Sequence, residues 1–329
     1  MATQAMKAVK YLALIGAMCA LGALAPAYAQ VYTIGTNPQG SLYYAAGAAV
    51  AKVANDKLNL QMRVQPSAGS STYLPLIDRN EQEFGLLNVD DTDTGYRGID
   101  NFAGKPNRNL RLLGVLFPLP FSAMVPGDSP VKKIADLKGL RMPSEFPGQT
   151  TARKLHEAVF ATGGLTYADV KPVPVPNLFL GVDALAAGRV DAAGVAPGIA
   201  QVQKANLDLA ARGGVRFVSI DQNPAGLARM KQIIHSYTLT VAPAKHLPGI
   251  VEPTVFMGYS AFLVTNDKVP EKVVYDLTKM IHASRAELVA IAPQISRFDP
   301  KKMAEKHVVP YHPGAIKFYS EAGQWPPQQ

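Results

Sequence analysis

Apolar residues recur in two alternating patterns along most of the chain. Short apolar or alternating runs, typical of β-strands, are followed by stretches whose apolar residues recur every three or four positions, as in helices. The predicted strands are 31–36, 61–65, 84–87, 110–117, 140–142, 173–175, 191–195, 215–220 and 254–265. The predicted helices are 43–55, 70–79, 150–161, 182–187 and 271–291. This alternation is typical of βαβ units and predicts an α/β fold with a mostly parallel sheet.

Two prolines divide this series of elements. Pro118 and Pro120 interrupt the apolar run that begins at residue 110, and a second α/β series follows them. The chain has 329 residues, which is long for one compact core. The apolar run at 254–265 could return the chain to the first series. We therefore expect two α/β lobes joined by a two-strand hinge, with a ligand cleft between them: 30–120 plus 257–329 as lobe 1, and 121–256 as lobe 2.

The N-terminus has the pattern of an export signal. Two lysines precede an apolar run at 11–25, and Ala27-Tyr28-Ala29 forms a small-x-small cleavage motif. A transmembrane anchor would need about 20 apolar residues, which is longer than this run. We predict a signal peptide over residues 1–29, cleaved after Ala29, and a periplasmic protein that begins at Gln30.

Composition narrows the classes of chemistry. The only cysteine is Cys19, inside the predicted signal peptide, so the exported chain has no disulfide, no thiolate zinc site and no cysteine nucleophile. A lipid anchor on Cys19 is disfavoured because Met18 precedes it. The formal charge is +8, from 33 Lys and Arg against 25 Asp and Glu. Because the basic residues are dispersed, we expect no nucleic-acid partner.

Polar loops follow the predicted strands, where open α/β sheets place their ligands. They span 36–44, 66–72, 88–95, 147–151 and 195–198. Three of them lead into helices, whose first N–H groups favour an anion. Each loop alone is equally compatible with an ordinary capped turn, with Ser41 as one such cap.

Signatures of metal and enzyme sites are missing from the sequence. A calcium loop counted from Asp91 has Tyr96 where a glycine is required, and Asp93-Thr94-Gly95 occurs once where an aspartic protease needs two copies. His156-Glu157 lacks the second histidine of a zinc protease, because Phe160 stands there. We predict no catalytic residue, no metal and no cofactor; a hydrolase or lyase on the same scaffold is the alternative from another class.

Several motifs occur together in one order along the exported chain. They are Ile34-Gly35-Thr36, Gly40-Ser41-Leu42-Tyr43-Tyr44, Ser67-Ala68-Gly69-Ser70, Phe84-Gly85-Leu86-Leu87-Asn88, Asp136-Leu137-Lys138-Gly139-Leu140-Arg141, Pro147-Gly148-Gln149-Thr150 and Pro310-Tyr311-His312-Pro313-Gly314-Ala315. In order and spacing they resemble the TAXI family of extracytoplasmic solute receptors.

The resemblance implies a type II periplasmic binding protein fold and a receptor for a small organic anion, such as a carboxylate, dicarboxylate or acidic amino acid. It also implies delivery of this ligand to the membrane subunits of a tripartite ATP-independent periplasmic (TRAP) transporter; docking on a sensor kinase or another uptake system is the alternative. We expect a monomer. The ligand-binding residues implied by the resemblance are Gly40, Ser41, Tyr43, Ser67, Gly69, Ser70, Ser71, Asn88, Asp90, Gly148, Gln149, Thr150 and Thr151.

This chain departs from the common TAXI pattern at three loops. The family commonly has Gly-Gly where this chain has Gln39-Gly40, and Gln-Ser-Asp where it has Asn88-Val89-Asp90. It commonly has Gly-Ser-Gly-Thr where this chain has Gly148-Gln149-Thr150-Thr151. A hydroxyl is lost at Val89 and an amide is gained at Gln149, which changes the hydrogen-bonding groups of the cleft. These departures put glutamate in doubt as the ligand.

Overall fold

The structure, a computed structural model, describes residues 30–327. Within these residues the chain forms ten strands: β1 (Val31–Thr36), β2 (Gln61–Pro66), β3 (Phe84–Asn88), β4 (Leu110–Pro126), β5 (Arg141–Glu145), β6 (Lys171–Val175), β7 (Ala193–Val195), β8 (Val215–Phe217), β9 (Tyr237–Val241) and β10 (Thr254–Asn266). The predicted signal peptide lies outside the described residues.

Helices cover the sheet between these strands. The α-helices of the described residues are α1 (Leu42–Leu58), α2 (Ser70–Asp78), α3 (Val89–Arg97), α4 (Thr151–Thr162), α5 (Leu178–Ala186), α6 (Ala200–Asp208), α7 (Pro224–Ile233), α8 (Glu271–Ala283), α9 (Arg285–Ile291) and α10 (Pro313–Glu321). The predicted α/β class is confirmed. None of the helices in the described part of the chain has the length and apolar character needed to cross a membrane.

The main sheet is built around two long antiparallel strands, β4 and β10. Its strand order is β2-β1-β3-β10-β4-β7, with β8 paired to β4 and β9 paired to β10. β1 and β3 are parallel, whereas β10 runs antiparallel to β3, β4 and β9. β5 and β6 form a separate parallel pair. The prediction of a mostly parallel sheet is therefore wrong for the centre of the sheet, because β10 enters between β3 and β4 from the opposite direction.

The sequence predicted that two prolines interrupt this strand, but β4 continues through both of them. Pro118 pairs with Ser260 and Pro120 with Gly258 within the ladder to β10. In the described ladders β7, which lies on the edge of β4 away from β10, begins to pair only at Ser122. Pro118 and Pro120 are two positions apart, so both would direct a backbone N–H group to the same edge of β4. No ladder bond is needed on that edge at these positions, so the N–H groups that proline lacks are not missed.

Two further predictions were wrong in the bounds of helices. Residues 88–95 were predicted as a polar loop, but Val89–Arg97 form α3. Asn88 caps this helix by accepting from Asp91 N at 2.8 Å, and Asp90 and Asp91 complement its positive end. The predicted helix 271–291 is two helices separated at Ser284.

The C-terminal segment contains α10, which is not among the predicted helices. Its cap is His312, whose ring accepts from Gly314 N, and Pro313 begins the helix. The same cap-proline signal begins α7, where Asn223 caps and Pro224 follows. The pattern of a capping residue followed by proline could therefore have predicted where both helices begin.

The central strands generate a stability prediction. Phe262 is 0% exposed in β10 and pairs with Leu87 on one side and Val115 on the other. Phe262→Ala should lower the free energy of unfolding by about 3–5 kcal/mol, because it removes a buried ring and leaves a cavity. Leu207→Ala is the control, since Leu207 is 74% exposed. Urea denaturation measures both; equal stability of the two variants would contradict this account of the core.

Candidate ligand-binding site

An internal cavity lies where the strand-end loops meet. Six of the predicted ligand-binding residues line it: Ser41, Tyr43, Ser70, Asn88, Gln149 and Thr151. They come from four of the five predicted polar loops, at the starts of α1, α2 and α4 and at the end of β3. The structure therefore brings together residues more than 100 positions apart in the sequence.

The other predicted residues lie around the cavity and not on its wall. Gly69 and Gly148 touch: a Cβ placed on Gly69 would lie 1.9 Å from the Gly148 carbonyl oxygen. The Ser71 and Thr150 hydroxyl oxygens are 2.9 Å apart. These two pairs join the loop before α2 to the loop before α4.

Three further predicted residues are also absent from the cavity wall. The carbonyl of Gly40 accepts from Ala200 N at 3.1 Å, and Ser67 N donates to Thr36 O at 2.8 Å. Asp90 lines a separate surface groove.

Asp91 is the centre of the polar part of the cavity, and its carboxylate is buried, with 1% exposure. Its Oδ2 accepts from the Ser70 hydroxyl and from Asn88 Nδ2, the latter at 2.8 Å. Its Oδ1 accepts from the Thr151 hydroxyl. Donors from three separate segments therefore meet on one carboxylate.

Burial controls the ionisation of the groups in this cavity. It raises the pKa of Asp91, and the hydrogen bonds from Ser70, Thr151 and Asn88 oppose that rise. Burial also raises the pKa of Tyr43 and Tyr259, so both phenols are neutral near pH 7. Within the described residues no Lys, Arg, His or Cys lines the cavity.

Sequence reasoning missed Asp91, Asn37 and Tyr259, which complete the polar lining. Asn37 was inside the first polar loop, and Asp91 had been considered only as a calcium ligand. The pattern Asn88-x-x-Asp91, in which a helix cap precedes an acid in the first turn, was the signal that could have found Asp91. The apolar lining was not predicted: Leu42, Leu119, Ala152, Leu155, Leu178, Phe179, Val195, Ala196 and Ile199.

Comparison with known proteins identifies the family. Residues 34–323 match the NMT1-like family, which is most of the chain. The chain belongs to the NMT1-like family. The narrower resemblance to TAXI receptors stays a prediction.

Solved structures similar to this NMT1-like chain share its fold. The periplasmic binding protein BugD matches with a TM-score of 0.56 at 12% identity, over 90% of this chain and 94% of BugD. An ancestral arginine-binding protein bound to arginine matches with a TM-score of 0.50 at 15% identity, over 80% of this chain and 97% of that protein. The chain therefore has the fold of the periplasmic binding proteins.

Beside the cavity, this NMT1-like chain has an ion-pair cluster centred on Lys154. Lys154 Nζ lies 3.1 Å from Asp90 Oδ1 and 2.5 Å from Asp100 Oδ2. The Asp90 side chain is only 10% exposed. Burial raises the pKa of Asp90 to about 6, and the neighbouring Lys154 ammonium opposes this rise.

This raised pKa predicts a pH dependence of stability. The folded-state pKa of about 6 lies above the ordinary value of 3.8, so the folded protein holds this proton more tightly than the unfolded chain does. The stabilisation is complete below about pH 4 and is lost as the pH rises through about 6. Between pH 4 and pH 7, the free energy of unfolding of the wild type should fall by up to about 3 kcal/mol relative to that of Asp90→Asn. Urea denaturation of both proteins at four pH values tests this; a difference that is independent of pH would contradict it.

Proposed function

We propose that this protein is a solute receptor that encloses a small organic molecule in the cavity and delivers it to membrane subunits of a transporter. The role is binding and not catalysis. The observation that carries the proposal is the composition of the cavity wall. Nine of its lining residues fall in predicted lobe 1 and nine in predicted lobe 2. A ligand in such a site contacts both lobes, as a hinged trap requires.

Contacts around the cavity support a closed arrangement of the two lobes. The Gly69–Gly148 contact, the Ser71–Thr150 pair and the Gly40–Ala200 hydrogen bond each join predicted lobe 1 to predicted lobe 2. The Thr151–Asp91 hydrogen bond and the Lys154–Asp90 ion pair do the same. We propose that opening breaks these contacts and that ligand binding favours them.

The strand pairing supports a hinge at the predicted lobe boundaries. Phe121 of β4 pairs with Met257 of β10, and Pro120 pairs with Gly258. The chain is proposed to pass between the lobes at 120/121 and again at 256/257. These two positions therefore lie opposite each other in one strand ladder. Rotation about such a pair would move the lobes with little disturbance elsewhere in the sheet.

The cavity favours a small ligand. Its volume is about 70 Å³, counted as space for the centres of water-sized atoms. We propose a ligand of metabolite size and not a peptide or polymer.

The partner and the compartment in this proposal rest on sequence. The resemblance to TAXI receptors supports TRAP membrane subunits as the partner, and the predicted signal peptide supports a periplasmic location. The same resemblance favours an organic anion. The buried carboxylate of Asp91 and the lack of a cation among the described lining residues weigh against an anion, because like charges repel strongly at low dielectric.

Native mass spectrometry of freshly exported and purified protein tests the receptor function. We expect a noncovalent complex with a small molecule, which is released unchanged on denaturation. Recovery of a chemically converted product after added ligand would instead support an enzyme. A protein that carries no ligand, and whose melting temperature no metabolite raises, would contradict the proposal.

The two touching glycines provide a matched pair of variants. Gly69→Ala should hinder closure, because its Cβ would lie 1.9 Å from the Gly148 oxygen. In Gly148→Ala the nearest atoms would be 3.4 Å away, an ordinary contact. Gly69→Ala should lower ligand occupancy about tenfold or more, since each 1.4 kcal/mol of lost closure energy is tenfold in affinity.

Small-angle X-ray scattering supplies the second measurement for this pair. Gly69→Ala should have a larger radius of gyration than the wild type, and Gly148→Ala should match the wild type. Equal occupancy and equal radius in both variants would contradict closure at this contact.

A further inference from the structure

The donors around Asp91 are already used within the protein. The Ser70 and Thr151 hydroxyls and the Asn88 amide all donate to the Asp91 carboxylate. The side-chain oxygen of Asn37, which also lines the cavity, is buried and accepts no hydrogen bond from residues 30–327. At this point the wall therefore offers a ligand acceptors and not donors.

The charge of Asp91 has no cation beside it in the cavity. Lys154, the nearby ammonium, makes its ion pairs with Asp90 and Asp100. No Lys or Arg is among the described residues of the lining. Three hydrogen-bond donors accompany the buried Asp91 carboxylate, but no opposite charge is among the described lining residues. A positively charged group on the ligand would supply that charge, which stabilises a buried carboxylate further.

The remaining lining residues determine which other groups the ligand can carry. Leu155, Phe179 and Ile199 contribute to an apolar wall. Gln149 Oε1 already accepts from Leu178 N at 2.9 Å, which leaves its amide hydrogens to bind a second polar group. The ligand is therefore apolar over part of its surface, and a carboxylate elsewhere on it is compatible with the wall.

Resting on the proposed receptor function, we infer that the ligand carries a protonated nitrogen, or an equivalent N–H donor, that bonds to Asp91 and to the Asn37 oxygen. The specificity of the receptor is then for amines, amidines or amino acids and not for simple carboxylates. Asp91 is the specificity-determining residue, and Asn37 is the second acceptor.

Sets of probes that share one apolar group, isopropyl in the first set and phenyl in the second, test this inference. The first set is isobutylamine, isobutanol, isobutyrate and valine; the second is benzylamine, benzyl alcohol, benzoate and phenylglycine. Each is titrated into the full exported protein at pH 7, and the melting temperature is measured. We expect a nitrogen-bearing member of at least one set to raise the melting temperature, and the matched carboxylate and alcohol to have no effect.

Variants then assign the effect to the residues. Asp91→Asn should weaken binding of the active probe about 10- to 150-fold, the range for loss of a charged hydrogen bond. Asp93→Asn is the control: it removes the same charge from the same helix, where Asp93 pairs with Arg97 outside the cavity lining. Asn37→Leu is a second variant, for the case in which Asp91→Asn does not fold. The Asn37 oxygen accepts no hydrogen bond within the described residues, so its removal should not destabilise the apo protein. This variant should also weaken binding.

The outcomes separate this inference from the proposed function. A shift produced only by carboxylates or alcohols overturns the inference and leaves the receptor function standing. Undiminished binding of an amine by both Asp91→Asn and Asn37→Leu also overturns it. If no probe shifts the melting temperature and the purified protein carries no ligand, the inference and the receptor function both fail.

Discussion

The burial of one carboxylate is the constraint on which the candidate site depends. Asp91 is 1% exposed, and a carboxylate at that depth needs hydrogen-bond donors. They come from the start of α2, the end of β3 and the start of α4, through Ser70, Asn88 and Thr151. Three segments that are distant in sequence must therefore meet at this point, and the cavity forms beside it.

The sheet allows this meeting because β4 and β10 extend past both halves of the cavity. β10 pairs with β3 near one end and with β9 near the other, while β4 continues to β7 and β8. The loop after β2 of the main sheet and the loop after β5 of the separate pair then approach closely enough for Gly69 and Gly148 to touch. A side chain at Gly69 would keep these loops apart, so the backbone contact depends on the glycine.

The same carboxylate links closure to ligand chemistry. Its hydrogen bond from Thr151 joins the two predicted lobes, and its charge faces a cavity whose described lining holds no cation. A ligand that compensates this charge would stabilise the closed arrangement, and one that repels it would not. The fold of the periplasmic binding proteins suits such a coupling, because a ligand between two lobes gains affinity only when both lobes contact it.

The sequence by itself determined the α/β class, most strand positions and the loops that approach the cavity. The run predicted at 254–265 is β10, Thr254–Asn266, and six predicted residues line the cavity, because periodicity, caps and glycine turns act over a few neighbouring residues. Only the tertiary structure decided that β10 runs antiparallel between β3 and β4, that Gly40 and Asp90 lie off the cavity wall, and that Asp91 lies on it. Strand pairing and burial join residues far apart in the chain, and the charge of a cavity depends on which of those distant side chains surround it.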